Sequence, residues 1–79
     1  MKHITKNKTE LGHASNGYRV CMQKKGIVFC KYVLVTNMSW EEAEREAIAI
    51  EEELTANLAA CNTQDEVINF YLEWRKKND

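Results

Sequence analysis

Cys21 and Cys30 are the residues of this chain whose type and spacing first raise the question of chemistry. With His13 they can be drawn as a metal site. The C-x8-C spacing matches no standard zinc module, however, and a fourth ligand is missing. The reading from sequence is therefore no metal and no cofactor. An odd number of cysteines, three in all, does not form a disulfide framework. Two small packed thiols in a reducing cytoplasm is the simpler expectation. His3 and His13 both fall in the polar N-terminal stretch. There is no metalloprotease pattern, phosphate loop or nucleophile elbow. Nothing in the sequence desolvates the glutamates of 41–53 to make them acids or bases. The chain does not read as an enzyme.

The two cysteines sit in "SNGYRVCMQKKGIVFCKYVLV" (15–35), which alternates as two strands around a turn. Tyr18 to Gln23 is one strand, and Ile27 to about Val35 the next. Lys25-Gly26 supplies the turn, because glycine accepts the positive φ that tight hairpins need. Counting outward from Lys24 opposite Ile27 puts Tyr18, Val20, Met22 and Phe29 on one face, with Lys31 as its misfit. The other face carries Arg19, Cys21, Gln23, Val28, Cys30 and Tyr32. A bulge near Lys31 would reverse the parity beyond it.

Upstream, "KHITKNK" (2–8) reads as a short edge strand, followed by a loop over 9–17. Downstream, Ser39 with Glu42 forms a capping box at the start of a long helix. Trp40, Ala43, Ala47, Ile50 and Leu54 make its apolar stripe. Thr63 with Glu66 forms a second box, opening a helix over 65–77 that docks through Val67, Phe70 or Tyr71, and Trp74. The fold class expected is α+β: a three-stranded antiparallel sheet packed on one long helix, with an added C-terminal helix. Residues 1–79 make one domain, with a sheet-plus-helix part over 2–60.

A chain of 79 residues has a small core, so each amphipathic segment is needed for stability. No apolar run is long enough to span a membrane. The start "MKHITKNKTELGHAS" is basic but lacks the apolar stretch of a secretory signal. A cytoplasmic location is expected. The net charge of −1 hides an asymmetry. Residues 1–31 hold seven basic residues against Glu10 alone, a net of +6, while 32–79 carry −7. A basic half points to an anionic partner, although an acidic helix neutralising a basic sheet accounts for it equally.

In order and spacing, "GYRVCMQKKGIVFCKYVLVTNMSWEEAEREAIAIEEEL" (17–54) resembles the Apetala/ethylene-response-factor (ERF) type of DNA-binding domain, above all its short bacterial and phage versions. Those also occur beside mobile-element nucleases and recombinases. The resemblance rests on Gly17, Tyr18, Arg19 and Val20, on Lys24-Lys25-Gly26, on Lys31-Tyr32, and on Glu42-Ala43 through Ala47 to Leu54. "HITK" (3–6) falls where the family has its first strand, so the likeness covers 3–58. It implies a sheet whose free face enters the major groove of double-stranded DNA, in a regulatory or mobile-element setting. Lys6, Lys8, Arg19, Gln23, Lys24 and Lys25 would then line the contact, the lysines and Arg19 able to meet phosphates and Arg19 or Gln23 able to reach base edges. Positions 21 and 28 are typically basic in the bacterial versions and are Cys21 and Val28 here. That leaves Cys21, Val28, Cys30 and Tyr32 as a largely apolar centre, which fits the alternative: a protein-interaction module on the same fold, with a protein or a second copy as partner.

Overall fold

The computed structural model describes residues 3–7, 16–36 and 38–78. Three strands, β1 (Ile4–Asn7), β2 (Gly17–Lys24) and β3 (Ile27–Leu34), form one antiparallel sheet in the order β1-β2-β3. Two helices follow, α1 (Trp40–Ala60) and α2 (Gln64–Asn78). The expected α+β class is what the chain adopts.

The β2–β3 hairpin turns on Lys25 and Gly26, with φ of 52° and 81°. Two positive φ values in a two-residue loop make a type I′ turn, whose twist matches that of the strands. From Lys24 opposite Ile27 the register runs unbroken to Gly17 opposite Leu34. No bulge interrupts it at Lys31. At the far end Val35 N donates to Asn16 O at 2.9 Å. Gly17 is a strand residue rather than a loop marker, and its lack of a side chain is structural. A Cβ there would lie 2.0 Å from the Val33 carbonyl oxygen.

The core lies on one face of the sheet. Tyr18, Val20, Phe29 and Val33 are buried against Ala43, Ala47, Leu54 and Leu58 of α1, with Cys61 beside them. The alanines let α1 lie close to the strands, and Leu58 extends the buried stripe one turn past Leu54. Trp40 and Ile50, expected in that stripe, are only half-buried at its margin. Trp40 meets Tyr18 edge to face at 5.5 Å. Both N-caps form, and at α2 the box is reciprocal, with Thr63 N donating to Glu66 Oε1 at 3.1 Å. Ser39 Oγ accepts from Glu42 N at 3.2 Å, and Thr63 Oγ1 from Glu66 N at 3.2 Å.

Helix α2 packs on the same side of the sheet as α1. Phe29 is fully buried among Phe70, Tyr71 and Trp74, with ring centroids 5.3–5.4 Å apart. One strand side chain therefore anchors three aromatics of α2, and its burial couples the second helix to the sheet. With both helices on one side, the opposite face is left open. Among the described residues no helix is long and apolar enough to cross a membrane.

Candidate functional site: the open face of the sheet

Alternation along the strands decides what the open face carries. The registers bring Thr5, Arg19 and Tyr32 into one row across the sheet, with Cys21 and Cys30 as neighbours in the next. Cys21 N donates to His3 O at 3.0 Å, which sets His3 beside that second row. Gln23 with Val28 and Gly17 with Leu34 complete the face. Arg19, Gln23 and Cys30 are exposed, and Cys21 is half-buried. Val28, Tyr32 and Leu34 are 49%, 55% and 36% exposed, an apolar strip along β3. The side-chain set read from sequence for this face is the set found there. His3, Thr5 and Leu34 join it.

The lysines divide differently. Lys25, at the hairpin tip, is exposed, and its carbonyl accepts from Gln64 Nε2 at 3.1 Å. Lys24 and Lys6, both placed in the DNA contact from sequence, belong to the helix side. Lys24 shares its parity with Met22, and its Nζ donates to the Leu58 carbonyl near the end of α1. The last turn of α1 has no basic residue of its own, so Lys24 supplies the cation that the negative end of the helix dipole favours. Lys6 pairs with Tyr18 in register, and its ammonium lies 4.6 Å from the centre of the Trp40 ring. That is a cation–π contact on the helix side of the sheet edge. Lys8 and His13 lie outside the described residues.

Lys31, the misfit of the core face, has a comparable partner. Its stem follows the face while Nζ donates to Asn78 Oδ1 at 3.1 Å and to Asn78 O at 3.3 Å. It caps the C-terminus of α2 as Lys24 caps that of α1.

Two shallow hollows border the open face. One, about 290 Å³, is lined by His3, Cys21, Met22, Gln23 and Val28. The other, about 360 Å³, lies between β3 and α2, where Val28 and Cys30 face Tyr71, Trp74 and Arg75. Neither has the enclosed, apolar form usual for a small-molecule pocket. Among the described residues, no three His, Cys, Asp or Glu side chains converge as metal ligands. Burial first, then a hydrogen bond to Cys21 and its charge, push the Cys30 thiol up, while nearby Arg19 pulls it down. The two thiols are cross-strand neighbours on the hairpin.

No protein-family model, curated protein or solved structure matches this chain.

Proposed function

We propose that the open face of the sheet docks in the major groove of double-stranded DNA. Arg19 and Gln23 reach base edges from β2, and Lys25 reaches a phosphate from the hairpin tip. The observation that supports this reading is the sidedness of the molecule. Arg19 and Gln23 are exposed on the side of β2 turned away from both helices, while the glutamates of α1 lie behind the sheet. A sheet presents side chains at the spacing of base edges, and arginine pairs with guanine through two hydrogen bonds. The basic N-terminal half supports the same reading. With Lys6 and Lys24 turned to the helices, the contact is narrower than composition alone implies. NMR titration of the full chain with short duplex DNA at low salt tests it. Shifts are expected at 19–32, with Glu44 and Glu51 unmoved. A hairpin whose shifts stay still under excess duplex rules the reading out.

A second reading is favoured by one observation, the exposure of Val28, Tyr32 and Leu34 along β3. An apolar strip of this kind suits a protein contact. In that case Val28→Glu or Tyr32→Ala abolishes partner binding or self-association, and Lys25→Gln has no effect on it.

A further inference from the structure

We propose that Cys21 and Cys30 form a reversible dithiol modification site, which closes to an intra-hairpin disulfide by exchange with a low-molecular-weight disulfide such as oxidised glutathione. The proposal is independent of what the open face binds.

Geometry carries it. Cys21 and Cys30 are directly opposite in the register, and both are free. Opposed residues of an antiparallel pair alternate between hydrogen-bonded and non-hydrogen-bonded sites. The Cys21 amide donates to the carbonyl of His3, the residue before β1, so it points away from β3. The pair is therefore a non-hydrogen-bonded one, where the strands bring Cα atoms to about 4.5 Å and side chains closest together. Disulfides span Cα separations of roughly 4.4–6.8 Å, so this site lies at the short end of the allowed range. Parity puts both side chains on the same face, directly opposite one another across the hairpin. Access is open as well. Cys30 is exposed, and Cys21 lines the hollow beside His3 and Gln23. Cys61 is buried in the core and takes no part.

The chemistry balances in two exchanges. Cys21, as thiolate, attacks one sulfur of oxidised glutathione. The glutathione S–S bond breaks, a Cys21–glutathione bond forms, and one glutathione leaves as thiolate and takes up the proton that Cys21 released. Cys30 then loses its proton and attacks Cys21 Sγ. The mixed disulfide breaks, the Cys21–Cys30 bond forms, and the second glutathione leaves and is protonated. The dithiol is oxidised by two electrons, and the glutathione disulfide is reduced by two. An exposed bridge at the short end of the geometric range belongs with the labile, reversible disulfides rather than the structural ones.

The test incubates the native full chain in glutathione buffers of increasing oxidised fraction. The reaction is quenched in acid, free thiols are alkylated in denaturant, and intact mass is read. The expected product is lighter than the reduced chain by two hydrogen atoms before alkylation, and it then takes up one alkyl group instead of three. Trypsin should release residues 20–24 joined to 26–31. Cys61→Ser should leave the bridge intact, and Cys30→Ser should stop at a stable glutathione adduct on Cys21. Three alkyl groups at every buffer ratio would overturn the proposal. So would an unresolved glutathione adduct on the unmutated chain, a bridge containing Cys61, or a covalent dimer.

Discussion

Lys24 and Lys25 are neighbours in sequence with opposite fates in the fold, and their substitution separates charge that reaches a ligand from charge that caps a helix. If the open face binds duplex DNA, each cation that neutralises a phosphate steepens the log–log salt dependence of affinity by about 0.9. Lys25 alone gives a slope of about −0.9, whereas adding Lys6 and Lys24 would give about −2.7. Over a fourfold rise in salt these are roughly 3-fold and roughly 40-fold losses of affinity. Lys25→Gln should therefore flatten the slope by about 0.9 and weaken all sequences alike. Lys24→Gln should leave the slope unchanged. It removes instead the ammonium that meets the Leu58 carbonyl, which costs about 0.3–1 kcal/mol of stability for a cation at an exposed helix C-terminus. For a domain of this size that lowers the melting temperature by roughly 1–8 °C. Fluorescence anisotropy of a labelled duplex at four salt concentrations, with thermal melts of the same variants, measures both quantities. A Lys24→Gln variant that flattens the slope as much as Lys25→Gln refutes the assignment of Lys24 to α1.

Three further outcomes follow from the packing. Phe29→Ala removes a fully buried ring with three aromatic neighbours and should cost about 3–5 kcal/mol, enough to lower the melting temperature by roughly 12 °C or more; a near-unchanged melt would show that α2 does not depend on it. Gly17→Ala forces a Cβ against the Val33 carbonyl, so the β2–β3 register must shift, and amide exchange should rise at Tyr18 and Val33 first. Burial, then the charge and hydrogen bond of Glu44, raise the Tyr18 phenol above its ordinary value. The folded state therefore holds that proton more tightly than the unfolded chain. The stabilisation is complete below the ordinary tyrosine pKa near 10 and is lost as pH rises through the raised value. Urea midpoints should fall more steeply at alkaline pH for the unmutated chain than for Tyr18→Phe, and parallel curves would refute the coupling.

The elements were legible in this sequence where local rules decide them, and its tertiary partners were not. Alternation plus a Lys-Gly turn defined the hairpin, and two Ser/Thr-x-x-Glu boxes marked both helix starts. Period-two parity also held the right answer for Lys24. It places that residue with Met22, on the helix side, and only the sign of its charge drew it into a DNA contact. Lys6 was harder, because its side of the sheet depends on a four-residue strand far from β2 in sequence. Gly17 looked like a loop glycine because the carbonyl it must admit comes from residue 33. The side on which α2 lies could not be read from its own stripe, since the aromatic stripe fits either face, and what draws it to the helix side is Phe29.

Lys31 shows the same limit most plainly. As a strand residue it breaks the apolar face, and nothing within ten residues of it explains why. Its partner is Asn78, at the far end of the last helix. The two core-side hairpin lysines, Lys24 and Lys31, thus serve the C-terminal ends of the two helices, and Lys6 serves an aromatic ring. A strongly basic first half of the chain consequently does not make a strongly basic open face. The face that results has Arg19 at its centre, Lys25 at its tip, two opposed thiols between them and an apolar strip beside them. Its affinity for any anionic partner should accordingly rest more on shape and base-edge contacts than on charge.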